Sequence, residues 1–374
     1  MLFIFVISGC SWLASPTTPV VDVPMQFNSS NENYPTIKDL PYLAWWQQFN
    51  DATLNKLIES GLTKNTDIKV ALGNLEQARG LLRQVQLSWI PSVNMYPAGY
   101  SSNPAFGDIG SFYGIWPQYT LNIARLIEQS RLAEYNLEQK KAMVDGIRLT
   151  IIGQICTAYF TMLAEQQQLV LLETLNTDML ELIKLSKNEI NIGLKDNIDI
   201  ADLLSKQKLV LAQIAIARHN IVLSANSLHY MQNENPGPLD IASNSFNTLD
   251  FNKFKPGDMP TSVLLNRPDL RIAEYAVKQA HAGVGVAYSN LFPSIQLDTF
   301  FGSGSGNGGF ATPSSYASFS DYYINWGITP STFGQIEAQK GAYHSEVYNY
   351  IQTVRKILRD VDNDFSANQQ YSNN

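Results

Sequence analysis

Glycines spaced to cradle a phosphate are the first chemical pattern in this 374-residue chain: Gly304, Gly306 and Gly309 satisfy GxGxxG within Gly302 to Phe310. In a dinucleotide site such glycines follow a strand and open a helix whose N-terminal amides hold the pyrophosphate. Here a strand-like run does precede them, but Ala311 to Ser318 holds Pro313 and several serines and presents no helix start. The segment therefore reads as a flexible loop. Its serines form no GxSxG nucleophile elbow, because the third position is Gly304. His219, His229, His281 and His344 are too scattered for HExxH or paired-ligand spacing. Spacing suggests no Ser/His/Asp or Cys/His constellation either, although triads assemble in space. The expectation is no catalytic residue, no metal site and no cofactor. An enzyme on a helical scaffold is the competing class.

Two cysteines remain. Cys10 ends an apolar run, MLFIFVISGC, and the small residues before it resemble a bacterial lipobox, where cleavage precedes the cysteine and lipid is attached to its thiol. No Lys or Arg precedes Cys10, so the usual basic leader is missing. The other reading is a short core strand with a buried cysteine. If Cys10 carries lipid, Cys156 has no partner within the chain, so no disulfide framework holds the fold, and Cys156 is expected to pack inside a helix. Ser15 to Tyr42 is rich in Pro, Asn, Ser and Thr without periodicity, which suits an extended tether.

Composition narrows the class. Only 16% of residues are charged and the net charge is −7, which does not suit a nucleic-acid footprint. No uninterrupted run approaches the roughly eighteen apolar residues of a transmembrane helix. A membrane crossing would therefore use strands.

The elements are legible from their periods. Asp51 to Ser88 is helical in pattern, with Leu54, Leu57, Ile58, Leu62, Ile68, Ala71, Leu72, Leu75 and Ala78 recurring at three and four; Asp51 can cap it and Pro91 follows its end. Two alternating runs follow, one with Val93, Met95 and Pro97 against Ser92, Asn94 and Tyr96, the other with Ile115, Pro117, Tyr119 and Leu121 against Trp116, Gln118, Thr120 and Asn122. They read as strands joined by a Gly/Ser/Asn-rich loop. Pro97 and Pro117 are awkward there, since each removes a ladder donor. Ile123 to Asn191 contains no proline and would make a helix about 100 Å long. Gly193 suits its stop, and Asp196 or Asn197 the next N-cap. A second helix runs from Ile198 to Met231. Ile200, Leu204, Leu211, Ile214, Ile221, Ala225 and Leu228 follow a seven-residue repeat along it, interrupted by Gln207 and Arg218, with Leu203, Val210 and Ala217 as a neighbouring stripe. The helices 51–88 and 198–231, end to end, match the long one in length.

The pattern then recurs. Leu264 to Leu297 lies on Leu62 to Met95 at an offset of 202 without a gap, placing Leu264, Asp269, Ala273, Gln279, Ala280, Pro293 and Ser294 on Leu62, Asp67, Ala71, Gln77, Ala78, Pro91 and Ser92. Ile295, Leu297, Thr299 and Phe301 alternate with Ser294, Gln296, Asp298 and Phe300, and a return strand sets Tyr322, Ile324, Trp326 and Ile328 against Asp321, Tyr323 and Asn325. Aromatic-rich strands with one apolar and one polar face suit a membrane barrel; a soluble hairpin with one dry face has the same alternation.

The segment RPDLRIAE, the small residues Ala280, Ala282, Gly283, Gly285 and Ala287, and the Phe292-Pro293 exit resemble the second repeat of TolC/OprM-type outer-membrane efflux ducts, in a NodT-like lipoprotein subgroup. Trp46, Phe49, Asp51, Leu54 and Asn65-Thr66-Asp67 resemble the opening of the first repeat, so the likeness extends from about Trp45 to Phe365. The resemblance implies a mainly α fold with a small β part: tandem repeats of long helices forming an α-barrel, and four transmembrane strands per protomer in a trimeric 12-stranded β-barrel. It divides the chain into a lipoprotein signal peptide (1–9), a tether (10–50), a first repeat (51–232), a linker (233–260) and a second repeat (261–374). It implies a passive outer-membrane duct, lipid-anchored at Cys10, with its helices in the periplasm. Its partners would be two further copies, a periplasmic adaptor at the tip residues Gly193, Leu194 and Asp196, an inner-membrane pump driving drugs, metals or peptides, and outer-membrane lipid.

The chain departs from the family in two places. The first repeat lacks the Phe-Gly turn that the second keeps as Phe333-Gly334, and a second long helix starting near Gly334 is expected to continue beyond Asn374 into a tip and a returning arm. No gate residue can be carried over. A truncated, non-conducting structural or interaction lipoprotein is the alternative to a working duct.

Overall fold

The computed structural model describes residues 19–21, 45–101, 110–193, 197–239, 241, 267–305 and 316–371. Cys10, Leu194 and Asp196 lie outside them. After a 3-10 turn at Trp45–Phe49 come α1 (Ala52–Lys64), α2 (Thr66–Leu87), β1 (Ser92–Ser101), β2 (Gly110–Leu121), α3 (Ile123–Asn191), α4 (Asn197–Met231), α5 (Pro268–Ser289), β3 (Ser294–Ser305), β4 (Tyr316–Asn325) and α6 (Pro330–Tyr371). The chain divides into two compact units. One takes in 74–143 and 264–360 and holds the sheet; the other takes in 25–73, 144–263 and 361–374 and is helical where described.

The helical unit is built on caps and a continuous apolar core. Asp51 accepts hydrogen bonds from the amides of Thr53 (2.8 Å) and Leu54 (3.0 Å), the expected cap of α1, and also accepts from the Tyr159 hydroxyl. The single helix expected over 51–88 is two. Asn65 breaks it, because its buried side chain offers the backbone a local alternative to the helical ladder: Oδ1 accepts from the amides of Asp67 (2.8 Å) and Ile68 (3.2 Å), while Nδ2 donates to the Met231 carbonyl (3.0 Å). One amide thus starts α2 and fastens it to the end of α4. Around it pack Leu54, Ile58, Ile68, Ile152, Ile155, Cys156, Tyr159, Leu163 and Leu228. Burial pushes the Cys156 thiol up to about 11, which suits packing rather than reactivity.

Helix α3 keeps its expected bounds and all 69 residues. It contains an 18-residue window of mean hydropathy 1.4, enough by length and composition to cross a membrane. A helix that packs into a core passes the same test. Ile151, Ile152, Ile155, Tyr159 and Met162 belong to the core just described. Gly193 stops the helix with φ of +77°, a left-handed value that glycine adopts without strain.

Helix α4 buries part of the expected heptad, Ile214, Ala225 and Leu228, together with Val210 and Ala217 of the neighbouring stripe. Gln207 is buried as well, while Leu204 and Leu211 stay exposed. Val210, Ile214 and Ala217 pack against Leu172 and Met179 of α3, and the polar interruptions find partners on the same helix. Gln207 donates to Asn176 (3.1 Å), Arg218 pairs with Glu173 (2.7 Å) and Asn220 donates to Glu165 (2.9 Å).

In the other unit the four strands form one antiparallel sheet of order β1-β2-β3-β4. The prolines are accommodated where the ladder is already interrupted. Pro97 falls in the register shift between Tyr96 and Gly99 on edge strand β1, and Pro117 falls in the gap between the β2–β3 pairs Ile115↔Phe301 and Gln118↔Asp298. The flexible loop expected from Gly302 is a strand as far as Ser305, where Gly302 pairs with Gly114 and Ala317. Glycine weakens a strand but keeps both backbone hydrogen-bonding groups. Helix α6 begins at Pro330, before the expected Gly334, since proline is tolerated in a first turn.

Replacing Asn65 with Ala should remove the α2 cap and orphan the Met231 carbonyl. The expected loss is about 1–3 kcal/mol in unfolding free energy, read from the urea midpoint of the helical signal.

Candidate functional site

The sheet sorts its side chains by face through register. Cα partners align Met95 with Ile115 and Phe301, Tyr119 with Leu297 and Tyr322, and Leu121 with Ile295 and Ile324. On alternate positions Ser92 aligns with Gln118 and Asp298, and Thr120 with Gln296 and Tyr323. A one-residue slip anywhere would mix the two faces, so the pairing is strongly specified. The apolar face is uncovered, with Met95 at 77%, Tyr322 at 82% and Ile324 at 71% exposure. A contiguous face of that kind marks an interaction surface. Alternation between it and a polar face is compatible with a strand set between an apolar and a wet environment. On the polar side Asn94 donates to the Gln118 side chain (2.9 Å), and Tyr96 packs edge-on against Trp116.

Two hydrogen bonds fasten the base of this sheet, and sequence patterning did not reveal either. The Tyr119 hydroxyl donates to the Trp89 carbonyl (3.0 Å), and the indole of Trp326 donates to the Leu291 carbonyl (3.0 Å). Those carbonyls sit in the turns after α2 and α5, at positions related by the offset of 202 read from the sequence. Trp89, Ile90, Phe292 and Trp326 are exposed around these turns. Such rings, with an apolar body and a polar tip, suit the boundary of an apolar layer.

Below the turns, Asn122 caps α3 by accepting from the Arg125 amide (3.0 Å) and donates to the Ser289 carbonyl at the end of α5 (3.0 Å). One turn on, the Glu128 carboxylate is buried beside α5. It pairs with Arg131 at 2.8 Å, and burial nevertheless raises its pKa above the usual carboxylate value, with Arg131 opposing. A Cβ on Gly285 would lie 2.6 Å from the Glu128 carboxylate oxygen, so the small residue on α5 is what admits this side chain. Gly283 similarly faces Gln339 of α6, where a Cβ would lie 2.9 Å from its oxygen. Of the small-residue run expected to mark this helix, Gly285 thus has a steric reason, while at Gly283 the movable end of Gln339 can give way. Between the start of α3, the turn at Asn290–Phe292 and the polar end of the sheet lies an open cavity of about 500 Å³.

Among the described residues no group of His, Cys, Asp or Glu is arranged to hold a metal ion. His281 stacks edge-on with Tyr343 and His229 faces Glu234, and the histidines do not converge. Of the residues expected at an adaptor contact, only Gly193 is described, and it stands exposed at the end of α3.

Residues 259–373 match the family described as "Outer membrane efflux protein". The chain is 25% identical over 347 residues to Nodulation protein T of Rhizobium leguminosarum bv. trifolii, covering 89% of this chain and 70% of that one. It is 26% identical over 346 residues to the solvent efflux pump outer membrane protein SrpC of Pseudomonas putida, covering 86% and 71%. Among solved structures, the open state of the Neisseria gonorrhoeae MtrE outer membrane channel superposes with a TM-score of 0.80 at 24% identity, over 96% of this chain and 83% of that one.

The fit of Glu128 over Gly285 is testable by a double-mutant cycle. Gly285→Ala should destabilise the protein by about 1–3 kcal/mol through overpacking. In an Glu128→Ala background the same change should cost little, giving a clear coupling term in thermal unfolding of the detergent-extracted protein.

Proposed function

As a member of the TolC/OprM-type outer-membrane efflux protein family, this chain, we propose, is one protomer of a passive exit duct through the outer membrane. The observation that carries the reading is the exposed apolar face aligned across all four strands, because such a face has no use in water and suits the lipid side of a barrel wall. Four strands are too few to enclose a channel, and among the described residues β1 and β4 have no further strand partner. They run in opposite directions, so β4 of one copy can receive β1 of the next in antiparallel pairing. Repeated head to tail, that contact closes a ring without open edges. Three copies are the proposed number, giving a 12-stranded barrel continued by the helices of the two repeats, 51–232 and 261–374.

The duct does no chemistry in this reading. An inner-membrane pump supplies the energy, and a periplasmic adaptor joins pump to duct. Lipid on Cys10 would anchor the first residues of the mature chain, and the tether 10–50 would lead to the first repeat. Solvent efflux appears in the name of SrpC, and small drug-like or solvent-like solutes are the proposed cargo. The adaptor contact is assigned to the turn after α3, at Gly193, Leu194 and Asp196. In support, Gly193 is exposed and its left-handed backbone sets the direction of the turn.

Protein extracted from outer membranes should migrate at three times the chain mass and open discrete conductance steps in planar bilayers. Leu297→Lys places a charge on the apolar face at an expected cost of about 2–4 kcal/mol near mid-bilayer, and should abolish both insertion and conductance. A trimer that inserts but never conducts would instead favour a structural lipoprotein. At the tip, Gly193→Trp should weaken adaptor binding at least tenfold, while Gly193→Asn, which tolerates the left-handed backbone, should preserve it. Equal binding by both variants would remove the tip from the contact.

A further inference from the structure

The cavity beneath the sheet is lined mostly by neutral polar side chains. Arg125 is, among the described residues, the only charged side chain that lines it, and no carboxylate does. Among the described residues no carboxylate pairs with the Arg125 guanidinium, whereas Arg131, two turns further along α3, is held by Glu128. The amides of Asn290 and Asn325 and the hydroxyl of Thr120 add neutral hydrogen-bonding groups, and Leu126 and Phe292 supply an apolar wall. The frame is fixed by contacts already described: Asn122 ties the first turn of α3 to the end of α5, and Trp326 ties the end of β4 to the turn before β3. At about 500 Å³ the space is of the size that accepts a small organic molecule.

We propose that this cavity is a binding site for small organic anions that carry an apolar group, with Arg125 as the residue that recognises the acid. A planar guanidinium meets a carboxylate or sulfonate with two parallel hydrogen bonds, a geometry that a neutral solute cannot use fully. The apolar body of the solute lies against Phe292 and Leu126, and its remaining oxygen lone pairs face the Asn amides. The polar face of the sheet, carrying Thr120, Ser294 and Asn325, forms one side of the cavity. The site rests on the duct reading in one respect: if that face lines the lumen, the ligand class is also a class of cargo that pauses there on its way out.

The test is calorimetric titration of the full-length protein in detergent with 1-naphthoate, 1-naphthylmethanol and 1-naphthylmethylammonium. Saturable binding of 1-naphthoate at one site per chain is expected, with the alcohol and the ammonium at least tenfold weaker. Arg125→Gln should weaken 1-naphthoate at least tenfold, while Arg83→Gln, which removes the same charge from an exposed position on α2 outside the cavity, should leave it unchanged. Equal affinity for acid and alcohol, equal binding by Arg125→Gln, or no saturable binding would each overturn the proposal. Conductance in planar bilayers reads the duct separately. A conducting protein without 1-naphthoate binding removes the site alone, and a binding protein that never conducts removes the cargo role and the duct together while the site stands.

Discussion

The register of the four strands is the constraint on which the other features depend. Because side chains alternate strictly along a strand, one set of backbone pairings places Met95, Ile115 and Phe301 in one row and Ser92, Gln118 and Asp298 in another. Every adjoining element preserves that alignment. The turns after α2 and α5 are tied back to the sheet by Tyr119 and Trp326, and Asn122 joins the base of β2 to the last turn of α5. Beyond the cavity, α3 and α5 approach closely where the Glu128 carboxylate lies over Gly285.

Much of this was legible in the sequence because it is periodic or local. The bounds of α3 follow from a long proline-free pattern ended by Gly193, and the cap at Asp51 is a local bond. Strand faces follow from alternation. The features that were missed require a partner distant in the chain. Asn65 looks helical in a pattern of apolar spacing, yet its side chain is held by Met231, 166 residues away. The buried residues of α4 fall on the heptad and the stripe beside it, but Gln207 and Arg218 read only as breaks, because their partners Asn176 and Glu173 lie on α3. Gly302 to Ser305 read as a loop by composition, and only pairing with β2 and β4 makes them strand.

The candidate site divides in the same way. Its apolar face follows from period two as far as Ile324, while Trp326 and Ile328, read onto the same strand, lie past the end of β4. The cavity was not foreseen, because Thr120, Arg125, Asn290 and Asn325 come from four separate stretches, and none is conspicuous in its own neighbourhood. The small residues of α5 were seen as a motif, but the reason for Gly285 lies in Glu128 on another helix. Burial of an ion pair is weak support for stability, so the Glu128–Arg131 pair is better understood as fixing one packing arrangement.

Pro97 has a consequence for how copies would come together. A free sheet edge is a template for any strand, and natural edges are commonly blunted by proline or a bulge. On β1 both occur together between Tyr96 and Gly99, leaving the longer unbroken run at the end nearest the helices, from Ser92 to Tyr96, and only Gly99 to Ser101 beyond. A neighbouring strand would find its longer uninterrupted ladder there, beside the helix ends that a correct partner must also match. Joining copies would then resemble closing a zip from its fixed end, with a stray strand arriving at the far end finding little to hold.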